Sequence, residues 1–201
     1  RGHAAVREEP SAAVDEHVPL RARVDDGVAR VEERSPPRNL DLERAGLAAR
    51  ADLRLTDYRD PTEQFDHVVS IEMFEAVGEP FWPGYFKTVA KALKPGGRAV
   101  IQSITIRDDL FASYRKGTDF IQQYVFPGGM LPSRSAFRAA AARQGLAVRH
   151  EYAFGLDYAR TLAEWRHAFE ANWPAIAAQG FDEPFRRLWR MYLCYCEAGF
   201  L

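Results

Sequence analysis

The sequence predicts an open α/β sheet whose parallel strands are joined by a helical crossover. Val68, Val69 and Ile71 form a short β-branched run, too short for a helix and suited to a strand covered on both faces. Apolar residues then recur with the spacing of one buried helix stripe; they are Phe86, Val89, Ala90 and Leu93. A second β-branched run follows within residues 99–104. Two strands joined by a helix run parallel, with a right-handed crossover.

The end of the predicted helix is marked by Lys94-Pro95-Gly96-Gly97. Proline cannot donate to a helix, and glycine tolerates the left-handed turn that follows. Open α/β sheets bind ligands at the carboxyl ends of their strands. Residues 72–75 and 102–105 follow the two strands and are therefore expected to share a site.

Composition bounds the class of protein. At 201 residues, with 47% apolar and 12% aromatic residues, the chain has material for one sizeable core. A net charge of -1 gives no reason to expect a nucleic-acid partner. Cys194 and Cys196 point to different faces of a helical pattern, and neither they nor the five histidines have metal-binding spacing. Two cysteines without a metal or redox motif fit a reduced, cytoplasmic setting. No apolar run is long enough to span a bilayer, and no signal peptide is visible.

Residues 1–40 differ from residues 41–201. The first forty positions mix Arg, Glu, Asp, Pro and Ala with scattered valines, and every aromatic residue lies at Tyr58 or later. Such a segment buries little apolar surface to offset its ordering entropy, which predicts disorder or weak helix. The chain starts at Arg1 rather than methionine, and a fragment is therefore expected.

Further elements follow from local patterns. Leu53 and Leu55 alternate with polar residues, which predicts a strand over residues 52–58. Residues 107–132 are predicted to form an apolar lid inserted after a strand, and Ser135 to cap a helix through Arg143. Alternation predicts another strand over residues 148–154. Two amphipathic helices close the chain, and the second carries Arg186, Arg187 and Arg190, a solvated face or a contact for lipid phosphates.

Several stretches together resemble a known family. FDHVVSIEMFEAVG followed by LKPGGR is similar to the fourth and fifth strands of a class I S-adenosylmethionine-dependent methyltransferase, a Rossmann-like sheet. IEMFEAVG, TDFIQQYVFPGGMLPS, FGLDYARTLAEW and CEAGF resemble, in order and spacing, the cyclopropane-fatty-acyl-phospholipid synthases and mycolic acid cyclopropane synthases. The resemblance covers roughly residues 42–200. It implies a partial methyltransferase sheet with helical lid insertions.

The resemblance also implies site residues. Asp57 and Tyr58 match the cofactor's adenine region, where a carboxylate can accept from the exocyclic amine, although an aspartate at a strand end is also a common helix cap. Glu75 matches a glutamate that helps to hold a bicarbonate ion. Glu72, three residues earlier, could pair with Glu75 for acid-base work, but the sequence favours a capping role for it.

Gln102, Ile104 and Tyr158 complete the implied catalytic set. Gln102 stands where many relatives carry a histidine. Its amide can donate to bicarbonate but cannot change charge, and an unreactive polar strand end is an equal alternative. Ile104 would contribute its backbone, and Tyr158 its hydroxyl unless it is an ordinary packed tyrosine.

The implied activity is methylene transfer from S-adenosylmethionine to the double bond of an unsaturated phospholipid acyl chain. Such an enzyme is expected at the inner membrane face, and a homodimer remains open. The resemblance also implies one more strand after CEAGF, which is expected to be missing because the sequence stops at Leu201. The family's glycine-rich cofactor loop is not found, since no G-x-G precedes Tyr58. A frameshifted or mispredicted upstream segment would explain this departure. Two alternatives therefore remain, a generic methyltransferase for another hydrophobic substrate and an inactive fragment or interaction module.

Overall fold

The computed structural model describes residues 23–25, 28–30, 40–60 and 62–201. The chain divides into two compact units, Arg1–Leu55 and Thr56–Leu201. The expectation of disorder over residues 1–40 falls mostly outside the described residues, so the predicted boundary at 40 and 41 stays a prediction.

The first unit contains one small antiparallel ladder among its described residues. Strand β1 (Arg23–Asp25) pairs with β2 (Val28–Arg30). Helix α1 (Leu40–Arg44) and a 3-10 turn (Ala48–Arg50) follow. The predicted strand over residues 52–58 is wrong, because residues 51–57 have no strand partner and Leu55 is 67% exposed. A strand requires a neighbour for its backbone N-H and C=O groups.

The second unit is built on a parallel pair of strands joined by a helix, as the sequence predicts. Strand β3 (Phe65–Ile71) runs beside β4 (Leu93–Gln102), and α2 (Trp82–Ala92) connects them. The register places Ile71 opposite Gln102, so both strands end at the same edge. This edge is where the sequence predicts the site.

The turn after α2 is part of β4, since the strand begins at Leu93 rather than near Ala99. Gly96 has a φ of 80°, in the left-handed region that favours glycine. A Cβ atom on Gly97 would lie 2.9 Å from the carbonyl oxygens of both Asp66 and Lys94. The two glycines let the chain turn against the start of β3.

The core of this unit is aromatic. Phe74 is fully buried, and its ring centroid lies 4.9–5.2 Å from the centroids of four neighbouring rings. These belong to Trp82, Tyr85, Phe86 and Phe137. One face of the strand pair packs on this cluster through Val68, Ala99 and Ile101. Of the predicted helix stripe, Phe86 and Val89 are buried on α2, whereas the helical prediction for Leu93 is wrong, because it is the first residue of β4.

The predicted lid, residues 107–132, is an insertion whose two ends lie next to each other. It contains α3 (Asp108–Tyr114) and α4 (Phe120–Tyr124). At its base the Ile106 N-H donates to the Pro132 carbonyl at 2.9 Å. Helix α5 (Arg134–Ala142) follows, capped by Ser133 rather than by the predicted Ser135, whose hydroxyl contacts Asp108 instead.

The remaining helices form the last layer of the unit. They are α6 (Gly155–Ala171), α7 (Trp173–Ala177) and α8 (Glu183–Phe200). Helices α6 and α8 pair, and Arg166 forms an ion pair with Glu197 across them at 3.1 Å. The predicted strand over residues 148–154 is wrong, because this segment has no ladder partner and Tyr152 is 76% exposed. Alternation alone does not make a strand without a neighbour.

Candidate active site

The site begins where β3 ends. Glu72 follows Ile71 directly and has a φ of 50°, the one positive φ of a non-glycine residue among those the structure describes. Its N-H donates to the Gln102 carbonyl at 3.1 Å, which continues the pairing of β3 and β4 by one residue. The backbone therefore turns sharply at the shared strand edge and presents the Glu72 side chain there.

Glu72 is the point at which three elements meet. Its Oε1 accepts a hydrogen bond from Gln102 Nε2 at 2.9 Å and another from the Tyr158 hydroxyl at 2.6 Å. Gln102 is the last residue of β4, and Tyr158 lies in the first turn of α6. One carboxylate oxygen thus joins two residues that are 56 positions apart.

Glu75 forms a second, neighbouring contact set. It lies in a 3-10 turn (Phe74–Ala76), and its Oε1 accepts from the Ile104 N-H. Its Oε2 is buried and has no donor. Its carbonyl accepts from the Met130 N-H at 2.8 Å, which ties the lid to the site. A buried acceptor without a donor is costly, so Glu75 Oε2 is suited to a ligand that brings a proton.

Tyr158 is held by aromatic rings on α6 and α8. The closest is Phe200, at 4.7 Å between centroids, and Trp165 lies edge-on at 6.3 Å. Burial, followed by the hydrogen bond to Glu72, raises the pKa of the Tyr158 hydroxyl above its ordinary value. Tyr158 therefore stays protonated at any physiological pH and acts as a hydrogen-bond donor.

Helix α8 lines the same region with Tyr192 and Cys196. Burial raises the pKa of Tyr192 to about 12, with Cys196 and then the Glu72 charge as smaller causes. Burial likewise raises the pKa of the Cys196 thiol to about 11. The lid reaches α8 through Phe126, which packs edge-on against Tyr192, and through Phe120, 5.6 Å from the Tyr195 ring. The uncharged side chain of Tyr192 therefore lies within electrostatic range of the Glu72 carboxylate.

Asp57 and Tyr58 lie apart from this cluster, in the turn before β3. Both Asp57 carboxylate oxygens accept from Arg59, and these hydrogen bonds lower the Asp57 pKa to about 2. Tyr58 is half-buried against the core, with its ring 6.0 Å from that of Tyr85. Both oxygens of Asp57 are thus engaged by Arg59, and the cofactor-binding role of Asp57 and Tyr58 stays a prediction.

The structure brings the predicted residues together in two pairs. Gln102 and Tyr158 meet at Glu72, while Ile104 meets Glu75. The residue that sequence reasoning undervalued is Glu72, which the sequence favours as a cap and which caps no helix. The available signal was a second carboxylate directly after an apolar strand, at the edge where ligands bind.

Other kinds of site find no support among the residues that the structure describes. No group of three or more His, Cys, Asp or Glu side chains in that part of the chain is arranged to hold a metal ion. Within the same residues, no helix is long and apolar enough to cross a bilayer. Arg186 is engaged by Glu170 and Glu183, whereas Arg187 and Arg190 are exposed.

Comparison with solved structures defines the class of protein. The cyclopropane synthase MmaA2 from Mycobacterium tuberculosis superposes with a TM-score of 0.64 at 25% identity, over 73% of this chain and 54% of that one. The mycolic acid cyclopropane synthase CmaA1, solved with SAH and CTAB, gives 0.62 at 27% identity, over 78% and 60%. The chain therefore has the class I S-adenosylmethionine-dependent methyltransferase fold, and the predicted fold class is confirmed.

Sequence relatives narrow the class to a family. The family model described as mycolic acid cyclopropane synthetase matches residues 27–201. Tuberculostearic acid methyltransferase UfaA1 of Mycobacterium tuberculosis is 42% identical over 157 residues, and the cyclopropane-fatty-acyl-phospholipid synthase of Escherichia coli is 37% identical over 147. These matches cover 78% and 73% of this chain. The chain belongs to the mycolic acid cyclopropane synthetase family, as its motifs predict.

The match extends over only part of the relatives. The chain spans 37% of the length of both the tuberculostearic acid methyltransferase and the Escherichia coli synthase. The activity of the whole enzymes is therefore a matter of proposal for this chain.

Proposed function

We propose that this chain transfers a one-carbon unit from S-adenosylmethionine to the double bond of an unsaturated phospholipid acyl chain, giving a cyclopropane or a methyl-branched product. The observation that carries the proposal is that Glu72 and Glu75 each accept hydrogen bonds at the carboxyl edge of a parallel strand pair. The rings of Phe126 and Tyr192 pack edge-on in the same region. Family membership supplies the reaction class.

The cofactor, when bound, supplies an electrophilic methyl group to the substrate's π bond. Asp57 and Tyr58 are proposed to bind the adenine end of that cofactor. A cation formed in the acyl chain must lose a proton to a base, and the carboxylate that contacts Tyr158 is Glu72. Aromatic faces contribute about 0.5–2 kcal/mol to cation binding, and lid residues Tyr124 and Phe126 are proposed for this role.

The hydroxyl of the bicarbonate that the resemblance implies would suit Glu75 Oε2, but the site offers no unoccupied donors for the two charged oxygens of that ion. The Gln102 amide, the Tyr158 hydroxyl and the Ile104 N-H would each have to donate to it, yet all three donate to Glu72 or Glu75. Like charges about 4 Å apart repel by about 4 kcal/mol at an effective dielectric constant near 20. An added anion in contact with either carboxylate is therefore unfavourable, and no step is assigned to it.

A phospholipid partner at a membrane surface is part of the same proposal. Arg187 and Arg190 are exposed on α8, the helix that also carries Tyr192 of the site, and cationic side chains attract anionic lipid headgroups.

A homodimer is a further proposal, tested by sedimentation equilibrium of the purified chain.

Glu75→Gln tests the proposal directly. The variant keeps the size of the side chain but weakens its hydrogen bond to Ile104, so product formation should fall at least about tenfold. The measurement is gas chromatography of fatty acid methyl esters from a bacterial host that has unsaturated phospholipids but no cyclopropane synthase of its own. Product is recognised as an acyl chain one carbon heavier than its precursor.

Glu164→Gln is the matched control, because Glu164 is exposed on α6. It should leave product and thermal unfolding unchanged. If the Glu75→Gln variant kept full activity, Glu75 would have no role in the reaction. If the wild-type chain formed no product, the proposed activity would be contradicted.

The second candidate is a member of the same family that binds S-adenosylmethionine only weakly. No G-x-G precedes Tyr58 in this sequence, and such loops let backbone N-H groups approach a nucleotide cofactor closely. Each 1.4 kcal/mol lost weakens binding tenfold. Calorimetric titration with S-adenosylmethionine decides between the two candidates. A micromolar dissociation constant would contradict impaired cofactor binding, whereas no measurable binding would favour an inactive chain or an interaction module.

A further inference from the structure

We infer that the Glu72 carboxylate takes the place of a diffusible anion in this site and is itself the base that accepts the proton released in the reaction. This inference rests on the proposed function and deepens it. The proposed base is a side chain of this protein, in a reaction that would otherwise need a small anion from solution.

The first argument comes from the hydrogen bonds. An anion is held by donors that converge on it, and here two donors from different elements converge on Glu72 Oε1. Gln102 Nε2 arrives from the strand edge at 2.9 Å and the Tyr158 hydroxyl from α6 at 2.6 Å. Glu72 Oε2 receives no hydrogen bond from the described residues, so it is the oxygen available to take a proton.

The second argument comes from the backbone. Glu72 adopts a φ of 50°, a conformation that costs a glutamate about 1–2 kcal/mol and that glycine or asparagine adopts more readily. Strained residues cluster at functional sites, where the strain fixes a side chain in place. The contacts that hold Glu72 in this conformation are its N-H bond to the Gln102 carbonyl and the two donors on its carboxylate.

The third argument comes from accessibility. Glu72 is exposed, whereas Glu75 Oε2 is buried beneath the lid, where the Met130 N-H binds the Glu75 carbonyl. A base must reach a carbon of a long acyl chain that enters from solvent or membrane. Of the two carboxylates, Glu72 is the one that such a substrate can approach.

The proposed step balances as follows. The substrate's π electrons form a bond to the transferred carbon, and the carbon-sulfur electron pair leaves with sulfur, which is released as a neutral thioether. The acyl chain is left with a cationic carbon. Glu72 Oε2 removes a proton from the transferred carbon, and the freed C-H electron pair closes the last carbon-carbon bond of the ring. Glu72 ends as a neutral carboxylic acid and returns the proton to water.

A binding experiment that needs no turnover tests the inference. The probe is 13C-labelled bicarbonate, followed by NMR line broadening on addition of the full chain. Wild-type protein should cause no broadening beyond that of a non-binding protein at equal concentration. Glu72→Gly, which removes the charge and relieves the positive φ, should bind bicarbonate at millimolar concentrations, because Gln102 and Tyr158 are then free to donate.

Two further variants keep this test decisive. Glu72→Asn also tolerates a positive φ and carries no charge, so it replaces Glu72→Gly if that variant unfolds; thermal unfolding identifies this. Glu164→Gln should behave like wild type. Bicarbonate binding by wild-type protein as tight as by Glu72→Gly would overturn the inference.

The catalytic arm uses purified protein and vesicles of unsaturated phospholipid in buffer free of carbon dioxide. Wild type should form product without added bicarbonate, whereas Glu72→Gly should lose at least about 100-fold and regain activity with bicarbonate or formate. Stimulation of wild type by bicarbonate would overturn the role of Glu72. A complete lack of product with wild type would instead contradict the proposed function, and the NMR titration would still decide whether Glu72 excludes the anion.

Discussion

The two cysteines of α8 have different surroundings although only one residue separates them. Cys194 is exposed, while Cys196 is half-buried beside Tyr192, and burial raises its thiol pKa to about 11. The thiolate is the form that reacts with alkylating reagents. The reactivity of the two thiols therefore distinguishes the half-buried side of α8, which carries Tyr192 and Cys196, from the exposed side of the same helix.

We predict that iodoacetamide alkylates Cys194 well before Cys196 at pH 8. For Cys196 the pKa is raised, so its thiolate fraction should grow about tenfold per pH unit and level off only near pH 11. Peptide mass spectrometry after timed quenching measures both rates in one sample. Equal rates would contradict the burial of Cys196 beneath Tyr192, and Cys196→Ser provides the assignment control.

At the scale of elements, the crossover between β3 and β4 depends on one close backbone approach. Gly97 leaves no room for a side chain, because two carbonyl oxygens lie 2.9 Å from where its Cβ would be. Gly84, in the first turn of α2, has nothing within 4 Å of the corresponding position. The same substitution should therefore have opposite effects at these two sites.

We predict that Gly97→Ala lowers the free energy of unfolding by about 1–3 kcal/mol, since neither backbone carbonyl can move cheaply. Gly84→Ala should be neutral or stabilise by up to about 1 kcal/mol, because alanine is the better helix former. Urea unfolding monitored by circular dichroism gives both values. A neutral Gly97→Ala would show that the turn between α2 and β4 is looser than the structure has it.

At the scale of the whole second unit, the strand pair is covered on one face and open on the other. Val68 and Ala99 pack against the aromatic core, whereas Val69 and Val100 are 64% and 66% exposed. Parallel strands are normally covered on both faces, and exposed apolar patches bind other apolar surfaces. A hydrophobic probe is therefore expected to bind at this face of the strand pair.

We predict that the double substitution Val69→Thr and Val100→Thr weakens binding of a hydrophobic dye such as ANS. The change in unfolding free energy should stay within about 1 kcal/mol, because little apolar area is lost from the interior. Val89→Thr, at a buried position of α2, is the contrasting control and should be clearly destabilising. Dye binding that the double substitution leaves unchanged would show that this face is not the dye site.

Much of the site's position follows from the sequence. The order strand, helix, glycine turn and strand places residues 72–75 and 102–105 at one edge, and the structure confirms the parallel pairing that this requires. Local alternation was insufficient over residues 52–58 and 148–154, because a strand forms only where another chain segment supplies hydrogen-bond partners. The cap at Ser133 instead of Ser135 is a shift of two residues in a correctly predicted helix.

By itself, the sequence determined the family, the fold class and the chemical types at the strand ends, because these depend on local spacing and on motifs in a fixed order. Only the tertiary structure decided which carboxylate receives the donors. Tyr158 lies 86 residues from Glu72 along the chain, and the positive φ of Glu72, together with the pairing of α6 and α8, brings the hydroxyl and the carboxylate within 2.6 Å. Contacts of this range are set by packing of whole elements, which no pattern of neighbouring residues specifies.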